Sequence, residues 1–423
     1  MTLATRRDSP WLALILLTGV ATVGFIDRIV VNVLVEPLKH EFGLTDFQVS
    51  LMGMAFAVLN VLAGLGIARI AERRQRVALI SLGTLLWSVA TALCGTAVNF
   101  AQLLLARVAV GLGEAIGIPG NQSVVADYFP AHRRGFAMSI LLLAPPVGAF
   151  VGFVGGGWIA QNFDWRWTFL IAAVPGLVLG VLVYLFIHEP PRGRHDADAS
   201  DEVPRTGAVL RRLFLLPSAR HLVIGSTVAA AIGFGLNYFF TSLMIRRFGL
   251  SIGEASLYAG LIASLPAAIS VVGMGWLGDR WGAKTPAAYA LIPGIAMIVG
   301  GALYIFAITR SDLVLLLSLV TVAAVLQFGY LGITFASLQN LMHPRMRATA
   351  SAALNAIYAI AGALGPMILG WVSDRLEPHY APGQGLALAM AAIALAYFWA
   401  GAHYLLAARH VGPDLAKARE GKV

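Results

Sequence analysis

Apolar residues along this chain fall into long blocks, with no strand-like alternation of polar and apolar positions. Runs of helical length occupy about 11–36, 47–70, 77–98, 101–128, 136–160 and 167–188. A second set of six occupies about 221–245, 255–278, 286–309, 313–341, 348–371 and 384–408. A helix crossing a hydrocarbon core of roughly 30 Å needs about 20 apolar residues, so each run predicts a transmembrane span. Barrel strands would instead be segments of roughly ten residues with alternating polarity. The first run is too long for a cleavable signal, and Asp27 and Arg28 interrupt it. Between the two sets, residues 189–212 form the most polar stretch of the chain. Within it, 209–214 reads either as a short amphipathic helix on the membrane surface or as the basic flank of the next span.

Composition sharpens this picture. Of 423 residues 58% are hydrophobic and 12% charged, against about 25% charged in soluble domains, and the mean hydropathy is +0.78. Disorder, coiled coils and most water-soluble folds are thereby excluded. The single cysteine, Cys94, lies inside an apolar run and has no partner for an internal disulfide. The net charge is +9, and 22 of the 30 Lys and Arg residues fall on the termini and even-numbered loops, six on the opposite loops. Basic residues concentrate on the cytoplasmic side. Both termini are therefore expected in the cytoplasm of a cell whose inner membrane holds the protein. Its basic character suits anionic lipid, and no separate basic domain remains for nucleic acid.

The two sets of spans echo each other. Gly275-Trp276-Leu277-Gly278-Asp279-Arg280-Trp281-Gly282-Ala283-Lys284 follows the eighth span, and Ala68-Arg69-Ile70-Ala71-Glu72-Arg73-Arg74-Gln75-Arg76 follows the second. Arg134-Gly135-Phe136-Ala137 recurs 213 residues later as Arg347-Ala348-Thr349-Ala350, and Gly148, Gly152, Gly155 and Gly156 correspond loosely to Gly362, Gly365 and Gly370. Such repeats point to two pseudo-symmetric six-helix bundles of an alternating-access carrier. The expected boundaries are 1–190 for the first bundle, 191–216 for a cytoplasmic linker and 217–423 for the second bundle and tail. Glu72, Arg73, Arg76, Asp279, Arg280 and Lys284 form a candidate cytoplasmic gate, an acid followed by Arg at the end of each equivalent helix.

The signature at 275–284 resembles the cytoplasmic loop motif of the major facilitator superfamily. Within that superfamily the first half resembles the spinster family. The matching pieces are Phe25-Ile26-Asp27-Arg28, the RVAVGLGEA run from Arg107 to Ala115, Ala126-Asp127-Tyr128-Phe129-Pro130, and Glu189-Pro190-Pro191-Arg192-Gly193. Organic-anion symporters of the superfamily share an Asp-Arg pair in the first helix and an Arg with a Glu seven residues later in the fourth. Ala68 and Glu72 depart from the superfamily pattern, which usually has Gly and Asp there. The spinster resemblance implies proton coupling at the positions of Asp27 and Glu114 and a lysolipid-like or sphingoid-like cargo. Resemblance to the symporters leaves a small organic anion, such as a sugar acid, as the alternative.

An ionisable residue at the centre of a span costs about 2.5 to 3.5 kcal/mol on insertion scales, so it is a functional candidate by default. Asp27, Arg28, Arg107 and Glu114 qualify. At 1.5 Å per residue, Asp27 lies about 24 Å from Trp11, while Arg107 and Glu114 lie about 10 and 21 Å from the outer face. Asp27 and Arg107 are thus expected to pair, with Glu114 two turns deeper on the face that Arg107 and Gly111 share. Gly111 is expected to leave room between them. A static ion pair is the competing reading, and the second carboxylate, Glu114, argues against it. Arg28, about 100° around the helix from Asp27, is a candidate for substrate, another helix or a lipid headgroup. The 213-residue offset carries Glu114 to Gln327, and an offset of 210 carries Asp27 to Asn237. The second half is therefore expected to offer neutral hydrogen-bonding groups to cargo: Asn237, Tyr238, Gln327, Tyr330, Asn355 and Tyr358.

A membrane enzyme would need a nucleophile, a metal cluster or a cofactor loop within the spans. The nine histidines all fall in loops or near helix ends, so neither a metal nor a cofactor is expected. Gly111-x-Gly113-x-x-x-Gly117 has no preceding strand and is better explained by helix packing. A channel reading lacks a ring of like charges. The sequence thus predicts a monomeric proton-coupled carrier whose partners are its cargo, protons and membrane lipids.

Overall fold

The computed structural model describes residues 9–73, 75–191, 206–282, 284–342 and 346–419. The first half contains α1 (Pro10–Val33), α2 (Val35–Phe42), α3 (Asp46–Arg73), α4 (Arg76–Gly95), α5 (Phe100–Tyr128), α6 (Ala131–Leu141), α7 (Ala144–Asn162) and α8 (Trp165–Phe186). After α9 (Thr206–Leu215) come α10 (Pro217–Phe248), α11 (Ile252–Gly282), α12 (Ala288–Ile308), α13 (Leu313–Phe328), α14 (Tyr330–Leu341), α15 (Arg347–Leu376), α16 (Gln384–Ala394) and α17 (Ala396–Arg419). Among the described residues, twelve helical stretches are long and apolar enough to cross a membrane. Three are assembled from two consecutive helices: α6 with α7, α13 with α14, and α16 with α17.

Local chemistry sets these boundaries. Helices begin where a side chain accepts an otherwise unpaired backbone N–H: Ser9 before α1, Asn99 before α5, Asp164 before α8 and Asp312 before α13. α2 and α10 end on Gly43 and Gly249 with φ of 62° and 64°, which a side chain would disfavour. The break between α6 and α7 precedes Pro145-Pro146, which have no N–H to continue the ladder. The segment 209–214 lies within α9. Val209 and Leu213 are buried and Arg211, Phe214 and Leu215 exposed, so the helix is amphipathic and rests on α10 and α15. On its inner side Arg212 donates Nη2 to the Leu341 carbonyl (3.1 Å), and burial holds its guanidinium below the ordinary value.

The chain divides into two compact units. The first comprises the described part of Met1–Asp201 together with Leu250–Gly260, the second Glu202–Gly249 with Leu261–Val423. Leu250–Gly260 is tied to the first unit by the Gly253 N–H, which donates to Gln161 Oε1 (2.8 Å). Each unit repeats one packing motif, α7 against α1 in the first and α15 against α10 in the second. A Cβ on Gly148 would come 2.5 Å from the Phe25 Cβ of α1, and one on Gly365 would collide with the Ala231 carbonyl of α10. Backbones meet closely at equivalent places because small residues permit it.

Candidate functional site

The centre of the first unit holds two buried ion pairs between α1 and α5. Asp27 accepts Arg107 Nη1 at Oδ2 (2.7 Å), and its Oδ1 accepts the Thr91 hydroxyl of α4 (2.6 Å). One residue on, Arg28 donates through Nε (2.9 Å) and Nη2 to the same oxygen of Glu114, Oε2. Glu114 is fully buried, whereas the Arg28 side chain keeps 34% of its surface exposed. Glu114 Oε1 and Arg107 Nε are buried without a hydrogen-bond partner among the described residues. Cys94, also buried, lies beside Arg107.

The Arg28–Glu114 contact spans the two turns of depth that separate Glu114 from the Asp27–Arg107 pair, and it gives Arg28, whose partner the sequence leaves open, a place on another helix. In a helix every side chain leans toward the N-terminus. As first and fourth spans, α1 and α5 run in opposite directions, so Arg28 leans toward Glu114 and Glu114 toward Arg28. The 100° between Asp27 and Arg28 lets consecutive residues of α1 reach two acceptors and donors a heptad apart on α5.

Phe56 of α3 lies between the pairs. Its ring centroid is 5.1 Å from the Arg28 guanidinium carbon and 5.5 Å from that of Arg107, and Phe25 takes the other side of Arg28 at 5.2 Å. Such contacts contribute about 0.5–2 kcal/mol each. The expectation that Gly111 leaves open room is also corrected. A Cβ there would stand 2.5 Å from the Phe56 carbonyl oxygen, so the space is taken by the α3 backbone. Asn60 Nδ2 fastens the same contact by donating to the Gly111 carbonyl (3.2 Å). Thr91, Phe56 and Asn60 escaped the sequence reading. A polar Thr or Asn inside an apolar run was the available signal.

Of the residues expected at the gate, the side chains of Glu72, Arg73 and Asp279 lie outside the described residues. Arg280 is exposed and stacks over Trp276 (5.2 Å), and Lys284 is exposed. Arg76 is buried within its own unit. Its Nη1 donates to Ser123 Oγ (2.6 Å) and Asp127 Oδ2 (2.5 Å), its Nε to Glu189 Oε1 (2.7 Å) and its Nη2 to the Pro190 carbonyl (3.0 Å). Glu189 Oε2 in turn accepts the Val77 N–H at the start of α4 (2.8 Å), and the Tyr128 hydroxyl donates to the His188 carbonyl (2.6 Å). The Ala126–Pro130 and Glu189–Pro191 motifs, 60 residues apart, thus meet around one arginine.

In the second unit Tyr238, Gln327, Tyr330 and Tyr358 are buried, Asn237 is half-buried and Asn355 exposed. The rings of Tyr330 and Tyr358 lie edge to face at 6.5 Å. The structure adds Tyr304, Tyr397, Tyr404 and Thr334 to this polar core. Tyr404 and Thr334 share a hydrogen bond, while the Tyr304 hydroxyl and Gln327 Nε2 have no hydrogen-bond partner among the described residues.

The sequence model of the Major Facilitator Superfamily matches residues 16–366. An MFS-type efflux pump of Mycolicibacterium smegmatis is 30% identical over 403 residues, covering 93% of each chain. The sphingosine-1-phosphate transporter SPNS2 of Danio rerio is 25% identical, over 90% of this chain and 79% of that one. Among solved structures, a bacterial homolog of the human lysosomal transporter spinster, inward-facing and unoccupied, superposes with a TM-score of 0.87. It is 28% identical over 96% of this chain and 98% of the other. With twelve apolar helices among the described residues and a superfamily match over most of its length, this chain belongs to the Major Facilitator Superfamily and is a transporter of the spinster type.

Proposed function

We propose that the protein is a proton-coupled secondary transporter working by alternating access, and that it carries an anionic amphiphile such as a lysolipid or a sphingoid phosphate. The observation that carries this reading is the asymmetry of the Arg28–Glu114 pair, in which a partly exposed guanidinium serves a fully buried carboxylate. An anionic headgroup reaching Arg28 competes directly with Glu114. A carboxylate so deep cannot stay ionised once its counter-charge turns away, so cargo on Arg28 and a proton on Glu114 favour each other. Asp27 and Arg107, held by Thr91, form the second ion pair, and Phe56 lies against the guanidiniums of both pairs. The SPNS2 relative supports a phosphate-bearing lipid. Tyr238, Gln327, Tyr330 and Tyr358, with Asn237 and Asn355, would offer neutral hydrogen bonds to the same cargo, and Arg76, Arg280 and Lys284, with Glu72, Arg73 and Asp279, would serve at the cytoplasmic ends.

A small organic anion such as a sugar acid is the second reading, favoured by two guanidiniums flanking one ring, an arrangement that also suits a dicarboxylate. Uptake into proteoliposomes of sphingosine-1-phosphate, a lysophospholipid and a sugar acid, with and without a pH gradient, tests both. Gradient-driven accumulation of one lipid is expected in the wild type and should fall at least about tenfold in Glu114→Gln and Asp27→Asn, the equivalent of about 1.4 kcal/mol. Uptake indifferent to both the gradient and the substitutions would reject proton coupling.

A further inference from the structure

The second unit holds a group of ionisable side chains that the transport reading does not use. His221 lies in the first turns of α10, and His403 and His410 lie on α17. The Nδ1 atoms of His221 and His403 are 2.8 Å apart. The rings of His221 and His410 stack at 6.4 Å with only 13° between their planes, and Trp399 meets His403 edge-on at 5.9 Å. All three imidazoles are half-buried, with Arg220, Trp399, Leu406 and Arg409 exposed around them. The three do not converge as the ligands of a metal would.

The surrounding charge is basic. Next to the trio on its own helices stand Arg220, Arg409, Lys417 and one carboxylate, Asp414. That carboxylate is occupied at the start of α10, where Oδ2 accepts both the Ser218 N–H (3.0 Å) and the Ser218 hydroxyl (2.6 Å). The neighbouring α9 brings Arg211 and Arg212, and α15 brings Arg347 at its near end. Asp374 and Arg375 are about 40 Å further along that helix, and Arg246 and Arg247 stand at the far end of α10. α12, α13, α14 and α16 contain no Asp, Glu, Lys, Arg or His.

We propose that this seam between α10 and α17 binds the phosphate headgroup of an anionic glycerophospholipid, and that protonation of His221, His403 and His410 tightens the binding. Neutral imidazoles 2.8 Å apart share one hydrogen, the first Nδ1 donating to the second. When both rings are protonated, two N–H donors face each other and only an anion between or beside them relieves the repulsion. A phosphate provides oxygens that accept from several donors at once. A lipid is favoured over a free ion by the position of the seam. His221 lies about 6 Å from the start of α10, at the headgroup level, and exposed Phe398 and Trp399, deeper along α17 than His403, offer an apolar wall for acyl chains. Trp is characteristic of that interface, and basic pockets between spans are characteristic sites for anionic headgroups.

The proposal stands apart from proton coupling in the first unit and is tested without transport. Delipidated full-length protein in detergent is titrated with phosphatidylglycerol or phosphatidylcholine at pH 5.5 and 7.5, and bound lipid is counted by native mass spectrometry. Imidazole is the side chain suited to gaining charge as the medium is acidified, so one phosphatidylglycerol should be retained about fivefold more strongly at the lower pH, with no such change for phosphatidylcholine. His403→Gln/His410→Gln should abolish the pH effect. Arg220→Gln, which leaves the imidazoles in place, should weaken retention at both pH values and keep the pH effect. Phosphatidylglycerol retention independent of pH, or unchanged in the double variant, would overturn the proposal. Displacement of the lipid by inorganic phosphate at equal concentration would overturn its assignment to a lipid.

Discussion

The centres of the two units solve the same packing problem with opposite chemistry. In the first, three buried charges and the partly exposed Arg28 cancel in two pairs, fixed by a hydroxyl from α4 and an aromatic ring from α3. In the second, the equivalent depth is filled with phenols, amides and small hydroxyls, none bearing a charge. Glu114 and Gln327, 213 residues apart, epitomise the contrast. A buried ion pair is costly to disrupt from one side because a naked charge remains, whereas an unpaired amide leaves only a lost hydrogen bond. Sensitivity of the core to single substitutions should therefore be concentrated in one half of a molecule whose backbone repeats.

The sharpest way to break this comparison is by stability. Arg107→Ala should cost about 3–5 kcal/mol by stranding Asp27, while Gln327→Ala should cost no more than about 1 kcal/mol. Thermal unfolding in detergent measures both, and equal losses would erase the distinction. A smaller effect belongs to Thr91. Its hydroxyl donates to Asp27 Oδ1, so Thr91→Val takes a charge-assisted hydrogen bond from that oxygen and should lower gradient-driven uptake about tenfold, the equivalent of about 1.4 kcal/mol. Thr91→Ser should restore wild-type uptake, which a purely steric role for the methyl group would not allow. The smallest change is expected at Phe56. Phe56→Leu removes the ring between the guanidiniums and should lower gradient-driven uptake by about two- to fivefold, equivalent to about 0.5–1 kcal/mol, with Phe56→Tyr near wild type.

Much of this was readable before any coordinates. Twelve apolar blocks and the 213-residue echo announce the spans, because bilayer thickness dictates length and repetition shows as spacing. Asp27 and Arg107 follow from depth alone. Arg28 with Glu114 does not, because axial rise locates Cα atoms and says nothing of which way a long side chain leans. The Arg76 network was hidden for another reason. Its partners come from the end of α5 and from Glu189, which in sequence looks like the first charge of a polar linker. The imidazole pair joins residues 182 positions apart, one in the first turns of α10 and the other inside α17, where the sequence reading places histidines only in loops or near helix ends, and no periodicity connects them.

Cys94, walled in beside Arg107, gives the molecule a native reporter. As the chain has only this thiol, a small membrane-permeant thiol-selective reagent applied to the unaltered protein can mark no other side chain. Its rate of modification would clock how often the neighbouring charges part, with no engineered label in place.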